Sequence, residues 1–314
     1  MRKNILILFT VLSLAAGAVA AENKGAEDEG IKVIPLIRYD YLSLDSRSIK
    51  SPGAGIVVNS EDVMFIGTYT RHSFGDPLLY GYPEVYHTID TLLDGKAGRH
   101  QYLGIFKSES DKPVSGGLHT FQAAAVYGYE IIAGNNLSLV LGGGLAVSDF
   151  GIERSDGEPW PVIPVPLVRM NYNSEWIDAK FECITSPNFS FTLAPESRVR
   201  FTCDLRMDQT RDMRDLIFDF ALACRFFNPS HEMGDFAGIS AGFKNDNYGA
   251  FNLGGHDGEE SIEVHYYAVY GALDFSILKV TGGYAFSGRE LYREEEKVDA
   301  GDGYFVSVQG LYQF

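Results

Sequence analysis

Beyond its first twenty residues, this 314-residue chain has no apolar run long enough to cross a bilayer as a helix, which takes roughly twenty residues. A helical membrane protein is thereby excluded. Basic residues are scarce as well: 26 Lys and Arg stand against 42 Asp and Glu, a formal charge of −16. That balance excludes a protein that holds nucleic acid by neutralising phosphates, so no nucleic-acid partner is expected. Cysteine is nearly absent. The three present, Cys183, Cys203 and Cys224, are an odd number, cannot all pair within one chain, and lack the close spacing of a zinc site. Each falls on the apolar register of a strand and reads as a small buried or lipid-facing hydrophobe, with one bridge between two of them left open.

What is present begins with an export signal. Arg2 and Lys3 precede an apolar stretch from Ile5 to Ala16, and Ala18-Val19-Ala20 supplies the small-x-small pattern that a signal peptidase cuts. About twelve apolar residues are too few for a membrane anchor. Residues 1–20 are therefore expected to be a cleaved signal peptide, with cleavage after Ala20, residues 21–30 a periplasmic segment, and residues 31–314 the folded body. Losing Arg2 and Lys3 takes the formal charge to −18. Tyr, Phe and Gly are abundant, at 18, 21 and 34.

The dominant pattern is alternation. Side chains on a strand point to opposite faces in turn, so the wall of a membrane barrel reads apolar outward and polar inward with period two. From 198 to 207, Arg198, Arg200, Thr202, Asp204 and Arg206 alternate with Val199, Phe201, Cys203, Leu205 and Met207. Asp178, Lys180 and Glu182 oppose Ile177, Ala179, Phe181 and Cys183. Leu216, Phe218, Phe220, Leu222 and Cys224 form an apolar row against Asp219 and Arg225, and Lys32, Arg38 and Asp40 oppose Val33, Ile37, Tyr39 and Tyr41. Leu278, Val280, Tyr284 and Phe286 oppose Lys279 and Thr281; from 137 to 147 the face opposite the leucines is mostly Ser and Gly, with Val140 and Ala146 as apolar exceptions.

These patterns predict an all-β, antiparallel transmembrane barrel of about fourteen strands, with twelve and sixteen as alternatives. The strands fall near 31–43, 62–72, 99–107, 118–132, 137–149, 164–173, 176–185, 189–194, 198–207, 216–227, 236–243, 262–274, 277–287 and 304–314. Residues 73–98 could hold another hairpin or a short helix around Glu84 to Leu93. Tight connections at Gly134-Asn135-Asn136, at Asn173-Ser174 and from Leu273 to Ser276 alternate with longer polar stretches at 152–160, 244–261 and 289–303. Short turns on one side and long loops on the other are the asymmetry of an outer-membrane barrel.

The last residues carry a resemblance. Tyr304, Val306, Val308, Gly310, Tyr312 and Phe314 share one face, and Phe314 is the final residue. This resembles the terminal β-signal of bacterial outer-membrane barrel proteins of porin-like type. The resemblance implies an outer-membrane location, contact with outer-membrane lipids, and insertion by the barrel-assembly machinery. It points to no narrower family.

The inward register is the place to look for function. It collects Arg38, Asp40, Arg169, Asp178, Lys180, Glu182, Arg198, Arg200, Asp204, Arg206, Asp219, Arg225 and Lys279 as expected lumen-lining residues. In a water-filled pore such charges set ion preference, and three arginines on one strand would attract anions. In a narrow lumen the same charges pair and hold the barrel shut. The reading is a passive channel for small polar or ionic solutes, with a closed barrel serving as envelope scaffold or surface-binding protein as the alternative. A lipid hydrolase is the third. His72-Ser73, His119-Thr120 and Ser230-His231 are adjacent pairs, but neighbours in a strand face opposite ways, so none makes a nucleophile pair by sequence alone. No catalytic residues, cofactor or metal are expected. The acids at Glu294, Glu295, Glu296, Asp299 and Asp302, and Asn245-Asp246-Asn247, read as solvated loops. The sequence leaves the oligomeric state open.

Overall fold

The computed structural model describes residues 31–76, 78, 83–113, 120–148, 160–184, 186–207, 216–226, 237–250, 262–275, 277–292 and 296–311. The expected signal peptide, the 21–30 segment, Tyr312 and Phe314 lie outside the described residues. Sixteen strands run in chain order. They are β1 (Lys32–Leu44), β2 (Ser48–Asn59), β3 (Val63–Phe74), β4 (Val85–Ala97), β5 (His100–Ser110), β6 (Gln122–Ala133), β7 (Leu137–Val147) and β8 (Val162–Asn173). There follow β9 (Ile177–Cys183), β10 (Pro187–Leu193), β11 (Val199–Met207), β12 (Leu216–Arg225), β13 (Ala237–Ala250), β14 (Ile262–Phe275), β15 (Leu278–Tyr292) and β16 (Glu296–Leu311). Each pairs antiparallel with its sequence neighbours, and β16 returns to β1 from Leu36↔Leu311 to Leu44↔Gly303, closing the barrel.

The expected count of fourteen is two short. The strands it omits are β2 and β4. Pro52, Gly53 and Gly55 in β2 weaken the strand signal, since Gly and Pro are poor strand residues. They hold ladder positions opposite Tyr39, Arg38 and Leu36. In β4 the segment expected as hairpin or helix is extended, fixed by pairing along its length with β3 and β5. Of two stretches expected as long loops, 244–250 and most of 289–303 are strand, and 251–261 lie outside the described residues. β13 runs on to Ala250, β15 to Tyr292, and β16 starts at Glu296, so Asn245-Asp246-Asn247, Asp299 and Asp302 are wall residues. The 149–159 stretch lies outside the described residues.

Alternation explains the outer surface. Ile37, Leu141, Leu145, Val199, Leu222, Ile239, Val269 and Leu273 are all exposed there. Aromatic rings pack side by side across this face, with Phe191 and Phe201 centroids 5.9 Å apart, Phe218 and Phe243 5.2 Å, and Phe243 and Phe286 6.2 Å. Cys183, Cys203 and Cys224 are free thiols; Cys203 is opposed in the ladder by Phe191 and Phe220.

The barrel is flattened. Strands two apart in a flat sheet lie about 9.6 Å apart. Here Cα atoms of β6 and β8 come within 8 Å across β7, and those of β1 and β15 do so across β16. The sheet therefore folds sharply at β7 and β16. Both corners depend on missing side chains: a Cβ on Gly142 would overlap the Tyr127 carbonyl, and one on Gly303 the Ser43 carbonyl. Folding at two corners brings facing walls together, and Cα atoms of β5 and β13 also approach within 8 Å.

Two apolar clusters occupy the space near the corners. One packs Leu42, Ile49, Phe74, Tyr86, Val264, Tyr266 and Phe305 at the long-loop end. The other packs Leu103, Val126, Val140, Ala146, Val165 and Leu167 between β5 and β8. The apolar exceptions Val140 and Ala146 in the β7 pattern belong to this second cluster.

Candidate functional site

Between the clusters a cavity of about 530 Å³ remains. Leu36, Gln309, Gly55 and Thr68 line it toward the short-turn end, and Ser186, Met207 and Gly249 toward the long-loop end. Gln309, close to the end of β16, opposes Arg38, and Met207 is the last residue of β11. The cavity lining mixes charged and hydroxyl side chains with Leu36, Ala54, Ile105, Ile184 and Met207. The bases Arg38, Lys107 and Arg206 face the acids Asp40, Asp90, Glu109, Glu182 and Asp246, with Thr68, Thr70, Thr88, Asn188 and Asn247 between them.

Most of these charges are paired. Arg38 Nε lies 2.5 Å from Asp40 Oδ2, and Lys107 Nζ 3.1 Å from Glu109 Oε1. Asp246 receives Lys244 Nζ at 2.8 Å and Arg206 Nη2 at 3.6 Å. Arg169, on β8, reaches Glu182 at 2.6 Å on the next strand. It also crosses the interior to Asp94 on β4 and Gln101 on β5, each at 3.0 Å. This crossbar spans the β7 corner and stands beside the second apolar cluster.

Of the thirteen residues expected in the lumen, Arg38, Asp40, Glu182 and Arg206 line the cavity. The register ties others to the same face. Asn188 joins Glu182 to Arg206, and Ser190 joins Lys180 to Asp204, which opposes Asp219. Asp178 opposes Asn173 and Thr192, and Arg169 opposes Glu182. At the short-turn end Arg225 opposes Gly238, Gly238 opposes Asp274, Asp274 opposes Lys279, and Lys279 opposes Gln309. Arg200 opposes Ala223, and Asp219 accepts a 2.6 Å hydrogen bond from Tyr270 Oη.

The expected strip of three arginines is not continuous. Arg198 stands in the turn before β11, at its rim. Arg200 and Arg206 are six positions apart, roughly 20 Å along the strand, with Asp204 between them. Only Arg206 of the three lines the cavity.

Several cavity residues escaped the sequence reading. Asp90 and Thr88 sit in β4, which had no strand assignment, and Asp246 and Tyr248 in a stretch expected as loop. His72, next to Ser73 in the chain, instead has its ring engaged with Ser51 Oγ at 2.8 Å through Nδ1 and with Thr88 Oγ1 at 2.9 Å through Nε2. Ser51 is fully buried, and His72 has a threonine in place of a carboxylate on its second nitrogen, so this contact lacks the open nucleophile and orienting acid of a hydrolase. His119, Ser230 and His231 lie outside the described residues. Among the described residues, no group of His, Cys, Asp or Glu is arranged to hold a metal ion.

No protein family and no curated protein matches this chain. Among solved structures it is similar to OccK8 (OprE) of Pseudomonas aeruginosa, with 9% identity, 90% of this chain and 98% of that chain covered, and a TM-score of 0.36. OmpF of Salmonella typhi, solved in complex with daunomycin, gives 11% identity, 90% and 97% coverage and a TM-score of 0.32. OccK5 (OpdH) of Pseudomonas aeruginosa gives 12% identity, 90% and 98% coverage and a TM-score of 0.32.

Proposed function

We propose that this chain spans the outer membrane as a sixteen-stranded barrel and acts as a narrow passive channel for small polar or ionic solutes. The observation that carries the reading is a cavity with charged side chains on its lining, inside a wall whose outer face is apolar. A closed barrel leaves no unpaired strand edge, and apolar residues facing outward suit contact with lipid. Outer-membrane lipids would cover that face, and the barrel-assembly machinery would insert the chain through its terminal strand.

The lining supports a weak preference for cations. Five acids stand against three bases, and Arg206 alone represents the arginine strip. Ion pairing mutes the excess, so the preference is modest. Planar-bilayer recording of the purified protein tests this. Steady, small channels favouring cations are expected, with the preference increasing in Arg206→Gln and nearly unchanged in Arg198→Gln. An anion preference lost in Arg198→Gln would overturn the selectivity argument.

A closed barrel serving as scaffold or surface-binding protein is the second reading. The approach of β5 and β13 to within 8 Å favours it, as do the two apolar clusters inside the wall. Absence of conductance from protein that migrates as a folded, heat-modifiable barrel would decide for it.

A further inference from the structure

Among the described residues, rings from facing walls touch inside the barrel. His72 belongs to β3 and Tyr248 to β13, both line the cavity, and their rings meet edge to face with centroids 5.8 Å apart. Neither ring is free to swing. Hydrogen bonds on both nitrogens of His72, to Ser51 and Thr88, fix its plane. Tyr248 stacks on Tyr266, with centroids 6.2 Å apart and planes 12° from parallel. Tyr266 is itself fully buried in the apolar cluster at the long-loop end. The backbone closes in as well, since β13 also approaches β5.

We propose that His72 and Tyr248 form the constriction of the channel, a rigid two-ring size filter set beside the Arg38–Asp40 and Arg206–Asp246 pairs. The inference rests on the channel reading above. The ion pairs beside the rings govern which charges approach. The rings present bulk without the long, flexible reach of Lys or Arg, so they limit what passes by cross-section. A rotamer change at either position would cost packed contacts: two hydrogen bonds for His72, and the Tyr266 stack for Tyr248.

Two kinds of variant test this, each first checked for heat-modifiable migration. Tyr248→Ala should raise single-channel conductance by about twofold or more and admit larger sugars in liposome swelling, while Tyr248→Phe, which keeps the ring, should match the parent. His72→Cys/Tyr248→Cys, made with Cys183, Cys203 and Cys224 replaced by Ala, is bridged by a short bifunctional methanethiosulfonate. Conductance should fall on bridging and return on reduction. If Tyr248→Ala fails to fold, His72→Ala and the bridged pair decide the matter. A conducting parent whose conductance and size limit ignore these changes overturns the filter while leaving the channel intact. A folded parent with no conductance overturns the channel and the filter together, and the bridging yield still reports whether the walls meet there.

Discussion

Arg47 sits in the turn between β1 and β2, and its guanidinium is bidentate to Glu290: Nε to Oε1 at 2.6 Å and Nη2 to Oε2 at 2.9 Å. Arg47 also donates to the Asp76 carbonyl at 2.7 Å, and Tyr292 Oη donates to Glu290 at 2.5 Å. Both partners are buried, Glu290 at 1% exposure. Removing one member of such a pair leaves a buried charge without compensation, a loss of about 3–5 kcal/mol. Glu290→Ala should therefore lower the urea midpoint of the folded barrel strongly, whereas Tyr292→Phe should cost only about 1.5–3 kcal/mol, a single hydrogen bond to a charged group. Equal, small effects from the two would mean that the pair is solvated and structurally idle. Alternation in the sequence marked Arg38 and Asp40 as sharing a face, because a two-residue period is a local property. It could not reveal Arg47, whose partner is 243 positions away and whose pairing depends on closure of the barrel.

At the scale of single elements, β7 was legible as a strand but not as a corner. Its glycines resembled small positions on a polar face; in the folded chain they let β6 and β8 draw together. A Cβ on Gly142 would overlap Tyr127 and Gly128 backbone atoms, and one on Gly144 would overlap Ala125. A Cβ on Gly104, in β5, would meet Leu93 at 3.6 Å, an ordinary contact. Gly142→Ala is thus expected to destabilise by about 1–3 kcal/mol through overpacking, with less folded barrel recovered on refolding into vesicles. Gly104→Ala should refold as the parent does. Comparable yields for the two would remove the corner from the account. The same dependence on distant partners hid β2 and β4. Gly53 and Gly55 face Thr70 and Thr68 on β3, and that pairing, with no apolar stripe of its own in the sequence, is what makes the segment a strand.

For the whole molecule, the wall is uneven in height. β9 and β10 have 7 residues each, while β14, β15 and β16 have 14, 15 and 16. With about 3.3 Å per residue and a tilt of about 40°, the short flank rises only about 18 Å, and the tall one about 35–40 Å. An outer-membrane barrel presents an apolar band of about 25 Å. In the proposed membrane-spanning placement the tall flank exceeds it and the short flank falls below it, so the bilayer would have to thin around β9 and β10, at a cost that grows with lipid length. Closure and the count of sixteen follow from pairings that no single segment encodes, and the height difference appears only when the strands stand side by side. The barrel is therefore expected to refold more completely in dilauroyl than in dioleoyl phosphatidylcholine vesicles, read by heat-modifiable migration. Adding a residue pair to each of β9 and β10 preserves which side chains face inward, because the period along a strand is two. Such a variant should lose most of the preference for the thinner lipid. Identical yields in the two lipids, or a preference that survives the longer strands, would show that the low flank is not what the membrane senses.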